Sequence, residues 1–540
     1  MGETGPVVIV WFIAIIFFVG HLPFISAPFV HLEAWYVQVA QMVARGRIEE
    51  ALQLNAKVFA NPILALLGIV PFQRLVGASE GSARFFSLLC GTVTLPLIYW
   101  GTKEHYGQRT ALLATTLVGL NPLFWPQSGL AWPDIPFTFL LTLSFFLAMR
   151  ACERNQKVLH LLAATCLGLA TITKYNVAIF FPALLAILAL KLFYSNRRSR
   201  AWFWHILGIG GLYLAIVTGI FLSYALWVSQ TIGYLLDPRF LATHRPTFVP
   251  GTSHVLRLAA QTIWVGILAG PFIFAIVTHL MRRHGRSRIL WGGCLAVVAS
   301  LPAAVAYRTG ARLRIGALEE MGLGWMEHLE IDAAVVLVLA LFLLTGIVIL
   351  WDLICWTWED VSRNALFTCW LLIPILLQTT ARPSKRYLLF ILPPLAVYLA
   401  DRTIQAMTPF GRPSGRYLAL GASLGILASV SLFNSAYIAQ EGLAAARLAH
   451  YANAHHLRGI EFSPWNSVLA HSGYLVNPAL FVDRQQEQPR YAFTTLSARE
   501  YREGVLREER VMLLGVTFKR YAILQERTPR LENPEADNLQ

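Results

Sequence analysis

Apolar stretches follow one another from Val7 to beyond Tyr417, parted only by short polar punctuation. A backbone in hydrocarbon must satisfy its own hydrogen bonds, so such a chain has one solution, a bundle of membrane-crossing helices. Thirteen candidate spans begin near Val7, Arg84, Thr110, Ile135, Val158, Asn176, Ala201, Leu258, Ile289, Ala333, Ala365, Tyr387 and Tyr417. With 56% hydrophobic and 14% charged residues, the chain falls outside the range of soluble domains of its length. The expected class is an all-α polytopic membrane protein.

A formal net charge of +14 raises the question of nucleic acid. The Lys and Arg residues sit in short clusters between apolar runs and do not line one basic face, so they read as topology signals and anion sites. No nucleic-acid partner is expected. The six cysteines fall in apolar runs or short loops without metal-ligand spacing. The run from Val7 is too long for a cleaved signal and lacks a basic flank, so it reads as a retained first helix.

"NPILALLGIVPFQRLV", Asn61 to Val76, decides the topology. Counted as a span, it would carry the basic clusters at 196–200 and 281–288 outside. Read as a re-entrant or interfacial helix, it keeps both in the cytoplasm. With the N-terminus inside, residues 27–83, 127–134, 228–257, 307–332 and 379–386 face the outer side. The C-terminus follows them out. From about Ile438 the hydrophobicity falls, "YAFTTL" and "VMLLGV" alternate as strands do, and "YREGVLREER" reads as a helix. The expectation is a transmembrane catalytic domain over 1–437, with interfacial helices in its first outer loop, and a small α/β extracytoplasmic domain over 438–540 with a disordered tail.

The outer loops gather polar groups at helix ends. Glu33 and Tyr36 open the first loop in "HLEAWY", ahead of a stretch amphipathic enough to lie along the membrane surface. Asp134 begins the fourth span in "GLAWPDIPF". A carboxylate there is either a functional group or a helix cap, and Glu33 is either a functional group or the first residue of a solvated helix. Arg382, Lys385, Arg386 and Tyr387 start the twelfth span, and Arg308, Arg312 and Arg314 form a second cluster. Basic clusters outside run against the positive-inside pattern. They bind either an anionic ligand or lipid headgroups. Lys174 lies between two spans on the same side, and His244 and Arg245 follow Arg239 in "DPRFLATHRPTF".

The ordered series "HLEAWYVQVAQMVARG", "NPILALL", "GASEGSARFFSLLCGTVTLPLIYW", "NPLFWPQSGLAWPDIPFTFLLTLSFFLAM", "LGLATITKYNVAIFFP" and "SKRYLLFILPPLAVYLA" resembles the dolichyl-phosphate-mannose-protein mannosyltransferase-like superfamily. This is a GT-C superfamily that includes glycosyltransferase family 39 and the lipid A aminoarabinose transferases. The resemblance covers roughly Val7 to Ala400. It implies a GT-C fold in which Glu33 and Tyr36 match the acidic and aromatic positions of the first outer loop. Asp134 matches a second acid and Lys174 a Lys near the site. Lys385 and Tyr387 match the basic-aromatic start of a late span, and Arg239 and His244 match an outer-loop Arg and His. The chain departs from the pattern twice: Leu32 stands where the family has the Asp of Asp-Glu, and Asn61 where it often has a Lys that contacts phosphate.

What the resemblance implies is a membrane glycosyltransferase of the bacterial inner membrane. It would move one sugar, with inversion, from a polyprenyl-phosphate donor to a lipid, glycan or protein acceptor at the extracytoplasmic face. Catalytic roles fall to Glu33 and Asp134. Substrate contacts fall to Tyr36, Asn61, Lys174, Arg239, His244, Arg382, Lys385, Arg386 and Tyr387. Arg and Lys balance the charge of a phosphodiester, so no metal or other cofactor is expected. Two other classes stay open, a lipid or sugar transporter and an inactive relative that binds lipid-linked sugars.

Overall fold

The computed structural model describes residues 4–30, 33–58, 62–175, 177–195, 201–235, 252–273, 276–277, 333–378, 385–407, 414–455, 460–462, 491–495, 505–513 and 516–525. The helices are α1 (Thr4–Ile25), α2 (Glu33–Ala44), α3 (Ile48–Val58), α4 (Leu64–Val76), α5 (Glu80–Gly119), α6 (Phe124–Ser128), α7 (Asp134–Arg154), α8 (Lys157–Thr171), α9 (Val177–Ser195), α10 (Ala201–Ile232), α11 (Thr252–Ala269), α12 (Ala333–Glu359), α13 (Val361–Gln378), α14 (Leu392–Met407) and α15 (Ser414–Ala454). A 3-10 turn, Lys385–Ile391, leads into α14. Among the described residues, seven helices are long and apolar enough to cross a membrane, and four shorter ones are apolar. The span expected near Ile289 lies outside the described residues; helices stand at each of the other expected starts.

α5 is two helices joined at Gly107, whose φ of 80° and ψ of 173° break the helical path. A residue with a Cβ is strained at that φ, and glycine is not. The spans expected from Arg84 and from Thr110 are these two halves. α7 runs parallel to the first half. Gly91 lies against Ser128 and Ile135, Gly101 against the Phe146 ring, and Glu104 pairs with Arg150 at 3.2 Å. α8 returns, with Ser144 Oγ donating to Ala163 O at 2.8 Å. α4 is 13 residues long, about 20 Å of helix, and too short to span. Exposed Trp204 and Trp227, near opposite ends of α10, sit where aromatic belts mark the two interfaces.

α15 starts at the end where α14 finishes and climbs past the opposite end of the bundle. Ser431 Oγ donates to Leu120 O at 2.7 Å, Asn434 Nδ2 donates to Pro122 O at 3.2 Å, and Gly442 lies against the backbone of Pro28. Beyond it stands a four-stranded sheet of order β1-β2-β4-β3, with β1 Ile460–Phe462, β2 Tyr491–Thr495, β3 Val505–Leu513 and β4 Val516–Gln525. β1 is parallel to β2; the other pairs are antiparallel. The expected helix over 501–510 is corrected. Its described part, from Val505, is strand β3, paired from Val505↔Leu524 to Leu513↔Val516 with two register shifts. Cross-strand pairing with the Val- and Ile-containing β4 overrides the helical propensity of its Glu and Arg residues. Arg447 on α15 reaches Glu509 of β3 at 3.6 Å.

Candidate active site

α1 ends at Ile25 with carbonyls that no helical N–H can reach. Arg84, four residues into α5, supplies the donors. Its Nη1 donates to Phe24 O at 3.3 Å, Ile25 O at 3.1 Å and Ala27 O at 2.5 Å, and its Nη2 donates to Pro28 O at 3.2 Å. The same guanidinium grips Glu33 bidentately, with Nε to Oε1 at 2.8 Å and Nη2 to Oε2 at 2.7 Å. Both side chains are buried. Two backbone amides complete the carboxylate: Val30 N donates to Oε2 at 2.9 Å and Ala131 N to Oε1 at 2.8 Å. An ionised carboxylate has about four acceptor positions, and these four donors take them. Glu33 is thus a clasp that ties α2 to α5 and to the turn before α7.

That turn delivers Asp134. Trp132 O accepts from Ser87 Oγ at 3.2 Å, and two residues later Asp134 starts α7, fully buried. Its Oδ1 accepts from Lys174 Nζ at 2.5 Å, and Lys174, in the turn between α8 and α9, is buried as well. Lys174 Nζ also lies 5.3 Å from the centre of the Phe390 ring, in the 3-10 turn that packs against α7. The backbone of Lys385, Arg386 and Tyr387 belongs to this turn. A buried carboxylate, an ammonium and the backbone of the basic-aromatic segment thus meet at one end of the bundle. Next to Lys174, burial pushes the Tyr175 phenol far up, so it stays a neutral donor.

Tyr36 is buried in the apolar cluster with Leu130, Ala131 and Trp132 that backs the turn. Arg382, Asn61, Arg239 and His244 lie outside the described residues, as do Arg308, Arg312 and Arg314. Next to this cluster, and sharing Ile63 and Tyr224 with it, an apolar groove of about 630 Å³ opens between Ile63, Leu64 and Leu67 and the α10 residues Ile216, Gly219, Ser223, Tyr224 and Trp227. Among the described residues no group of three or more His, Cys, Asp or Glu is placed to hold a metal ion.

Sequence reasoning passed over Arg84, because a single basic residue at the start of a span reads as snorkelling. The signal was an arginine opening an apolar run, after a loop in which one acid, Glu33, stands among aromatic and apolar residues. It also missed a network at the other end of the bundle. Arg402 of α14 is fully buried and donates to Asp352 (Nε–Oδ2 2.7 Å) and Glu359 (Nη2–Oε1 2.8 Å) of α12. Tyr398 OH donates to Asp352 Oδ2 at 2.7 Å, Trp356 Nε1 to Asp401 Oδ2 at 2.8 Å, and Tyr106 OH to Asn364 Oδ1 at 2.9 Å.

Residues 60–227, which carry Arg84, Asp134 and Lys174, match the family model described as dolichyl-phosphate-mannose-protein mannosyltransferase. The chain is mannosyltransferase-like over this segment. The mannosyltransferase-like part starts after Glu33 and ends before the 3-10 turn. An uncharacterized protein of Aquifex aeolicus (strain VF5) is 33% identical over 111 residues, 20% of this chain and 22% of that one. The chain thus aligns to less than a quarter of that relative's length. Among solved structures, the chain is similar to ArnT from Cupriavidus metallidurans bound to undecaprenyl phosphate (14% identity, 98% of this chain and 99% of that chain, TM-score 0.45). It is also similar to the Archaeoglobus fulgidus oligosaccharyltransferase in complex with Zn and sulfate (11% identity, 91% and 67%, TM-score 0.49).

Proposed function

We propose that this protein is an integral-membrane glycosyltransferase that moves a single hexose or pentose from a polyprenyl-phosphate donor to an acceptor hydroxyl at the extracytoplasmic face. The observation that carries the reading is the buried Asp134–Lys174 pair beside the 3-10 turn of Lys385, Arg386 and Tyr387. The family match over 60–227 supports it. In this reading Asp134 takes the acceptor's hydroxyl proton. The acceptor oxygen bonds to the anomeric carbon as the carbon–phosphate-oxygen bond breaks, and the electron pair leaves with polyprenyl phosphate. Displacement from the face opposite the phosphate inverts the centre. Lys174, with Lys385, Arg386 and Arg382, holds the departing phosphate. Glu33, with its acceptor positions filled, fixes the turn that presents Asp134. The α4–α10 groove suits a polyprenyl chain, being apolar and open to the surface.

The same reading includes thirteen spans in a bacterial inner membrane, a cytoplasmic N-terminus, a transmembrane domain over 1–437 and an extracytoplasmic domain over 438–540. α15 supports it by carrying the sheet past the end of the bundle that holds Asp134. A second reading draws on Leu32 and the saturated Glu33: an inactive relative that binds lipid-linked sugars. One experiment separates the two. The protein in nanodiscs is given a panel of polyprenyl-phosphate sugars and a membrane extract as acceptor source, and release of polyprenyl phosphate is followed for wild type and Asp134→Asn. Release that needs Asp134 supports the transferase. Donor binding with no release from any donor supports the binding protein.

A further inference from the structure

A serine or threonine inside a spanning helix has a default partner, the carbonyl four residues back. Thr138 Oγ1 donates to Asp134 O at 2.7 Å, Thr403 Oγ1 to Leu399 O at 2.7 Å and Ser223 Oγ to Gly219 O at 2.8 Å. Ser435 of α15 does not take this option. It is 6% exposed, and its Oγ has no hydrogen-bond partner among the described residues. Leaving a buried hydroxyl unmatched is costly, so folded proteins nearly always supply a partner, from the chain or from ordered water.

Ser435 lines a small cavity with His21, Ala27, Pro28, Arg84 and Leu130. The cavity measures about 20 Å³, and a single water needs roughly 10–15 Å³ and about two to four polar partners. The walls also decide how a water would sit. Arg84 has five N–H groups, and all are engaged with Glu33 and with the carbonyls of Phe24, Ile25, Ala27 and Pro28. The guanidinium has nothing left to donate. His21 offers nothing either, because its two ring nitrogens face Phe17 O and Trp125 O. Among the described residues, Ala27 O and Pro28 O each accept one hydrogen bond, from Arg84, and a carbonyl oxygen has two lone pairs. Two acceptors with room to spare thus face one donor, the Ser435 hydroxyl.

We propose that this cavity is the site of one structural water, which accepts from Ser435 Oγ and donates to the carbonyls of Ala27 and Pro28. The water makes a polar joint between α15 and the loop after α1, the loop that Arg84 caps. Gly442, two turns further along α15, lies against the backbone of Pro28, so the two segments meet there with no side chain between them. α15 also reaches β3 of the sheet through Arg447. The water therefore links the helix that carries the sheet to the clasp that fixes the turn before Asp134. The inference rests on burial and geometry and needs no transfer activity.

The test is X-ray hydroxyl-radical footprinting of the full chain in nanodiscs, in which radicals made from a bound internal water oxidise the side chains beside it. His21 and Leu130, 1% and 3% exposed, should be oxidised in the wild type, whereas Phe137, 0% exposed in the apolar core, should not. Ser435→Val removes the hydroxyl and fills the space with methyl groups, so oxidation of His21 and Leu130 should fall several-fold. Ser435→Ala, which removes the donor and keeps the room, serves should the valine variant fail to accumulate, and the same direction is expected. Wild-type oxidation of His21 and Leu130 no greater than that of Phe137 would overturn the proposal. So would oxidation that the substitution leaves unchanged, the mark of bulk water entering as the helices part.

Discussion

Arg84 and Glu33, fifty-one positions apart, close a buried bidentate ion pair in which the arginine also caps the end of α1 and the glutamate holds the amide of Ala131. Three helices and one turn meet on two side chains. A pair of this kind is expensive to break, because removing one partner strands the other charge in a dry site.

Glu33→Gln and Arg84→Met should each destabilise the protein by about 3–5 kcal/mol, the range for breaking a buried pair. The double variant Glu33→Leu/Arg84→Met should cost less than the sum of the two. Unfolding in detergent, analysed as a double-mutant cycle, measures the difference. Additive losses would mean that the pair does not act as a unit.

Asp134→Asn should lower release of polyprenyl phosphate by about 10²–10⁴-fold, the usual worth of a general base. It also leaves Lys174 buried without its partner, so activity and folding must be separated. Asp134→Asn/Lys174→Met should recover the unfolding temperature without recovering release.

Gly219→Phe should fill the α4–α10 groove. A Cβ at Gly219 meets nothing within 4 Å, so the helix accepts the change and the ring projects into the open space. The expected result is a several-fold rise in KM for the polyprenyl donor with kcat little changed, the pattern of lost uniform binding. Steady-state kinetics over a series of carrier lengths checks it.

Chelation should leave the reaction intact. Release measured after dialysis against EDTA should equal the untreated rate, with Lys and Arg meeting the phosphate charge. Loss of activity that Mn²⁺ restores would count against this.

Arg402→Met should destabilise the bundle by about 3–5 kcal/mol by stranding Asp352 and Glu359. Donor KM should stay at the wild-type value in the fraction that remains folded, since the network lies at the opposite end from Asp134.

The spans were legible because apolar runs of that length have few alternatives, and the 13-residue α4 fits the expectation that Asn61 to Val76 is re-entrant or interfacial and not a span. Asp134 and Lys174 were legible as charged residues at span ends. Their pairing was not, since forty positions separate them and only the antiparallel run of α7 and α8 brings them together. Glu33 illustrates the harder case. A sequence shows a carboxylate but not its donors, and Arg84 and the amides of Val30 and Ala131 turn a candidate base into a clasp. β3 was misread for a related reason: Glu and Arg favour a helix locally, and the strand exists only because β4 pairs with it.

The first half of α5 carries the Glu33 clasp at Arg84 and joins the Arg402 end of the bundle at Tyr106. The helix between these residues, at 1.5 Å per residue, is about 33 Å long. That is close to the hydrocarbon thickness of a bilayer. A helix held by a buried ion pair at one depth and by a buried hydrogen bond at another cannot tilt freely to suit a thinner or thicker membrane, so the lipid around it has to stretch or compress instead. The protein should therefore sort toward bilayers of matching thickness and lose folding yield in short-chain lipids.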